Sequence, residues 1–201
     1  MKKIGVILII ISFAMIAFYL IYNKTLENKN NDDIIQYINE TSVIQDEEEE
    51  TFTTNETSNT QPKSSNIAYT AVLEIPKINL KRGVVDSTKN FNSINYAISV
   101  DNNSKYPNEN GNFILYSHSG NSNIAFFNKL YKVEVNDDIY VYYNGTKYHY
   151  VITNKYDIEK TGKASVMDSR VNKYITLITC NQQKDGYQIV VIGKLVNEMN
   201  Y

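Results

Sequence analysis

The chain has 201 residues, with 20 basic and 22 acidic side chains and a formal net charge of −2 at pH 7. That balance excludes a nucleic-acid binder that works through bulk charge. One cysteine and two histidines exclude an intramolecular disulfide and Cys-rich zinc or iron–sulfur sites, and they argue against a His-rich metal centre.

Met1-Lys2-Lys3 opens the chain, and an apolar run follows from Ile4 to Tyr22 without a charge. As a helix the run is about 29 Å long, close to the roughly 30 Å hydrocarbon core of a bilayer. It ends in Phe18-Tyr19-Leu20-Ile21-Tyr22 rather than in the small-x-small site of a cleaved signal. Residues 1–22 therefore predict a cytoplasmic stub and an uncleaved signal anchor through residues 4–22. Lys2 and Lys3 set the N-terminus in the cytoplasm and the remainder outside.

Residues 23–66 read as a polar, acidic linker, with the block Asp46-Glu47-Glu48-Glu49-Glu50. Residues 1–66 carry 5 basic and 10 acidic side chains, against 15 and 12 in residues 67–201. So little apolar surface does not offset the entropy of ordering. Ile34, Ile35, Tyr37, Ile38 and Ile44 suggest at most a short helix near the membrane. The acidic block reads as a solvated spacer, because calcium ligands need alternating spacing in a loop.

Residues 67–201 are long enough to bury one core. Period-two patterns and short apolar runs predict strands at Tyr69–Ile75, Ile78–Leu80, Tyr96–Val100, Asn112–Ser117, Ile139–Tyr143, Lys147–Asn154, Tyr174–Cys180 and Tyr187–Val196. Asn144-Gly145 predicts a two-residue hairpin turn. Asn123–Leu130 suggests a short helix with Ile124, Phe127 and Leu130 on one face. Many short strands and few helices predict an all-β barrel or sandwich.

Cys180 closes the run Tyr174-Ile175-Thr176-Leu177-Ile178-Thr179 and opens a polar loop. A thiol there is reachable by a substrate, although free cysteines are more often buried packing residues. His118 likewise closes the strand Phe113-Ile114-Leu115-Tyr116. A neighbouring imidazolium would favour the thiolate and could later protonate a leaving amine. His149, between Tyr148 and Tyr150 in a strand, reads as structural.

The apolar anchor, Ile75-Pro76-Lys77-Ile78, Ser117-His118-Ser119-Gly120, Thr176-Leu177-Ile178-Thr179-Cys180 and Ile189-Val190-Val191-Ile192-Gly193-Lys194-Leu195 together resemble a sortase, a surface transpeptidase of mainly Gram-positive bacteria. The resemblance implies a closed eight-stranded β-barrel with one or two short helices. It implies that Cys180 attacks a Leu-Pro-x-Thr-Gly-like sorting signal of a surface protein and forms a thioacyl enzyme, with His118 as the acid. An amine of peptidoglycan or a pilin lysine then takes the acyl group. No cofactor, metal or nucleic acid is implied. The compact domain looks more like the A or D types than class B.

One departure stands out. Sortases open the last strand with an arginine that binds substrate and stabilises the oxyanion, and here Gln188 occupies that place. The chain's two arginines are Arg82 and Arg170, and neither is on that strand. Three readings follow. Gln188 acts as a neutral donor, or Lys184 or Arg170 supplies the charge, or the barrel is impaired and mainly binds peptides. Hydrolysis with water as acceptor is a further alternative. Ser119 and Thr179 complete the expected substrate-binding set with Lys184.

Overall fold

In the computed structural model the chain is described over residues 2–46, 69–88, 94, 97–161 and 169–201. Helix α1 spans Lys2–Asp46. The strands are β1 (Ala71–Ile75), β2 (Leu80–Asp86), β3 (Ile98–Val100), β4 (Gly111–Tyr116), β5 (Asp138–Tyr143), β6 (Thr146–Glu159), β7 (Lys173–Cys180) and β8 (Tyr187–Asn200). They close a barrel in the order β1-β2-β3-β4-β7-β8-β6-β5. The β2–β3 and β4–β7 pairs are parallel and the others antiparallel. The expected eight-stranded barrel is what forms.

Alternation within strands builds its core. Leu73, Val84, Ile98, Phe113, Leu115, Val141, Ile152, Ile175, Leu177 and Val191 belong to one buried cluster. Their neighbours Ile114, Thr176, Ile178, Cys180, Gln188 and Val190 therefore face outward, because successive side chains point to opposite faces. On that outer face the Asn112 amide and the Thr176 hydroxyl, both buried, bond each other at 2.9 and 3.0 Å. Thr176→Val removes both bonds and should cost about 1–3 kcal/mol, read from denaturant midpoints.

Asn144 and Gly145 take φ of 47° and 72° in the β5–β6 turn, as a tight hairpin requires. Elsewhere the structure departs from expectation. Ile78–Leu80 is not a strand. Pro76–Ile78 form a 3-10 turn with Pro at its start, and Asn79 is left-handed at φ 51°. The chain folds back there, so Ile75 pairs with Leu80 and strand β2 runs on to Asp86. Its pattern was masked by Lys81, Arg82 and Gly83. Gly83 is needed because the Tyr69 ring occupies the place of a Cβ. Strands β6 and β8 also extend further than expected, to Glu159 and Asn200.

Asn123–Leu130 is a run of turns rather than a helix. Ala125, Asn128 and Leu130 each bond a carbonyl three residues back, while the Phe127 N–H donates to the His118 carbonyl at 3.1 Å. The long-range bond replaces the one a helix would make. A 3-10 turn follows at Leu130–Lys132.

The expected linker is helical for more than half its length, since α1 continues to Asp46; the rest of it, residues 47–66, lies outside the described residues. The helix finds its apolar partners on the barrel. Ile34, 2% exposed, packs with Val72 and Tyr142, flanked by Tyr37, Ile38, Tyr69 and Tyr201. Tyr37 donates to the Thr70 carbonyl at 2.7 Å, and the Thr41 and Tyr201 hydroxyls lie 2.8 Å apart.

Candidate active site

Cys180 is the last residue of β7 and is partly exposed. Its register partner on β8 is Gln188. The next pair is hydrogen-bonded, Asn181 N–H to the Tyr187 carbonyl at 2.9 Å. Cys180 and Gln188 are thus of the non-hydrogen-bonded kind, whose Cα atoms are about 4.5 Å apart with side chains on one face. Among the described residues nothing hydrogen-bonds the Gln188 amide. Beyond it on the same row is Ile158 of β6.

On the other side runs β4, parallel to β7, with Tyr116 opposite Ile178. Continuing that register by two residues brings His118 level with Cys180 and on the same outward face. Three contacts hold the chain to this register after β4 ends. Ser117 N–H donates to the Ile178 carbonyl at 3.4 Å. Thr179 Oγ1 donates to the Ser117 carbonyl at 2.8 Å. Ser119 Oγ donates to the Cys180 carbonyl at 2.7 Å. The segment after β4 that carries His118, and strand β8 with Gln188, thus lie on either side of Cys180.

Thr179 is 3% exposed and turned inward, so its hydroxyl positions the His118 segment. Ser119 likewise clamps backbone to backbone. Ser119→Ala removes one hydrogen bond, worth about 1 kcal/mol. A lower denaturant midpoint checks this.

The cations weighed for the missing charge lie elsewhere. Lys184 is exposed in the β7–β8 turn with Nζ 3.3 Å from the centre of the Tyr187 ring. Tyr187 alternates to the face opposite Gln188. Arg170 precedes β7 and is exposed, its carbonyl accepting from Asn110 Nδ2 at 3.1 Å. The seven residue steps from Lys173 to Cys180 cover about 23 Å, so Arg170 sits at the opposite end of the barrel from the thiol. This corrects the reading in which it supplies the missing charge. Arg82 is at the thiol's end, but β3 and β4 lie between its strand and β7. It rests over Phe126, 5.9 Å from the ring centre, with burial lowering its pKa and Glu27 opposing that shift.

Sequence reasoning missed Asn181. Its Nδ2 donates to Asp157 Oδ1 at 3.0 Å and its Oδ1 accepts from Gln183 N–H at 2.9 Å. The residue after the thiol thus ties the β7–β8 turn to β6. An Asn opening a polar loop was the available signal. His149 is 2.7 Å from Asp138 and stacks on Tyr140, in a pairing remote from Cys180. No cluster of His, Cys, Asp and Glu suited to a metal occurs among the described residues.

A sortase-domain family model matches residues 73–196, which contain His118, Cys180 and Gln188. The chain belongs to the sortase family. It is 30% identical over 125 residues to sortase A of Bacillus anthracis, an alignment covering 62% of this sortase and 58% of that relative. The barrel is similar to a sortase D5 transpeptidase of Clostridium perfringens, with TM-score 0.57, 22% identity, and 64% and 79% of the two chains covered. It is similar to Listeria monocytogenes sortase A, with TM-score 0.58, 22% identity, and 67% and 92% covered. A third likeness is to Streptococcus pneumoniae sortase C, described with pilin substrate specificity, at TM-score 0.58, 20% identity, and 64% and 69% covered. Neighbours of several classes match about equally, so the fold of this sortase leaves its subclass open.

Proposed function

We propose that this sortase is a membrane-anchored cysteine transpeptidase with Cys180 as nucleophile, His118 as proton donor and Gln188 as oxyanion donor. The observation that carries the reading is the single outward row on which His118 and Gln188 flank a partly exposed Cys180. The Cys180 thiolate attacks the carbonyl of a Leu-Pro-x-Thr-Gly-like signal. A C–S bond forms and the carbonyl electron pair moves onto oxygen, where the Gln188 amide donates a hydrogen bond. Collapse breaks the C–N bond, and the His118 imidazolium gives its proton to the departing amine. An acceptor amine then attacks the thioester, losing its proton to His118 as the thiolate leaves.

The acceptor is an amine of peptidoglycan or a pilin lysine, and the donor is a surface protein bearing the signal. The apolar part of α1 spans the cell membrane, with Lys2 and Lys3 in the cytoplasm and the barrel outside. In support, α1 is long and apolar enough to cross a membrane, and Ile7 to Tyr22 present large apolar side chains outward. Lys184 leans on Tyr187, on the other face of the strand, so Gln188 is preferred as the oxyanion partner.

The test uses the full chain in detergent with a panel of Leu-Pro-x-Thr-Gly-type peptides. Intact mass should gain one acyl fragment on Cys180, and an added amine should release it as an amide. Release only as the acid would make the protein a thiol hydrolase. A folded protein that binds the peptides but never acquires the adduct would be a peptide-binding barrel, and the proposal would fail.

A further inference from the structure

The course of α1 along the barrel is not required by any catalytic step. One end of the barrel carries the Cys180–Gln188 pair, the His118 loop, the Ile75–Leu80 turn and Arg82. The other carries the Asn144-Gly145 turn, the end of β8 at Asn200 and the start of β7 at Lys173. The helix runs from the first end to the second. Asn23, Leu26, Glu27 and Asn30 border a cavity of about 510 Å³ whose opposite wall is Arg82, Asn123, Ile124 and Phe126. Asn30 Nδ2 reaches the Lys81 carbonyl at 3.4 Å. One to two turns on, Ile34 packs on Val72 and Tyr142. Further along, Tyr37 meets Thr70 and Thr41 meets Tyr201, whose N–H donates to the Gly145 carbonyl at 3.1 Å.

The apolar run ends at Tyr22, and the first barrel contacts fall at residues 23–30. At 1.5 Å per residue those contacts lie within about 12 Å of the point where the helix leaves the hydrocarbon. We infer that the docked half of α1 is a strut that turns the Cys180 end of the barrel toward the bilayer, with the His118 loop at the lipid–water surface. Asn121, Ser122 and Asn123 of that loop are exposed and polar, as a headgroup-level contact requires. The Asn144-Gly145 end points away. This goes beyond the catalytic reading but rests on the membrane anchor.

The experiment uses the full chain carrying Cys180→Ala, reconstituted in liposomes whose headgroups bear nitroxide quenchers. A fluorophore is attached through Asn121→Cys at one end or through Met199→Cys, exposed at the other. Quenching should be several-fold stronger at residue 121 than at 199. Adding Ile34→Asp should abolish the difference, and the milder Tyr37→Phe with Thr41→Val, which removes the helix's hydrogen bonds to Thr70 and Tyr201, should narrow it in a chain that still folds. Liposome flotation reads the anchor separately. A chain that does not float removes the anchor and the inference with it. A chain that floats but is quenched equally at both positions, or more at 199, overturns the strut and leaves the anchor intact.

Discussion

Cys180→Ala should abolish acyl transfer, with a loss of up to about 10⁶-fold in kcat, the scale seen when a covalent nucleophile is removed. His118→Ala should cost about 10²–10⁴-fold, the usual contribution of one positioned acid or base. Kinetics on a quenched sorting-signal peptide check both. The two losses should not add, because the second residue acts on a bond that only the first can make. The double variant should therefore be no slower than Cys180→Ala alone. A loss for His118→Ala confined to KM would remove His118 from proton transfer. Folding should survive both changes. Cys180 is at a strand end and partly exposed, and His118 is in a loop held by its neighbours' hydrogen bonds rather than its own ring.

The elements read correctly from the sequence are those in which local preference and tertiary need agree. Asn144-Gly145 demanded a hairpin on backbone sterics alone. Tyr174–Cys180 is largely apolar because one face fills the barrel and the other is partly buried, so the strand was plain. The strand β2 was hidden by Lys81, Arg82 and Gly83. That segment is a strand because Asn79 reverses the chain and Tyr69 needs the space over Gly83, neither of which is a local signal. Asn123–Leu130 has helical spacing but loses its helix to one long-range bond, Phe127 N–H to the His118 carbonyl. The polar half of α1 looked too poor in apolar surface to order, and by itself it is. Ile34, Tyr37 and Ile38 become sufficient only with the Val72 and Tyr142 face beside them. The thiol and the imidazole stand in motifs of the resemblance, and the glutamine stands where that resemblance expects an arginine. Their adjacency follows from one parallel and one antiparallel register, which no single strand encodes.

Gln188→Arg should raise kcat/KM about tenfold, and Gln188→Ala should lower it by up to about 10²-fold. The bond from the Gln188 amide to the oxyanion is already charge-assisted; a guanidinium adds the attraction of a full positive charge, and a further gain of about 1–1.5 kcal/mol in transition-state stabilisation is close to one factor of ten. The register places residue 188 directly across from Cys180, and its amide has no other partner to lose among the described residues. A rise carried by kcat separates a true oxyanion contact from a gain confined to substrate binding, which would appear in KM alone. An unchanged rate would mean that another cation, Lys184 foremost, already serves there. Lys184→Ala measured beside it separates those outcomes, since that change should be nearly silent if the side chain stays over Tyr187.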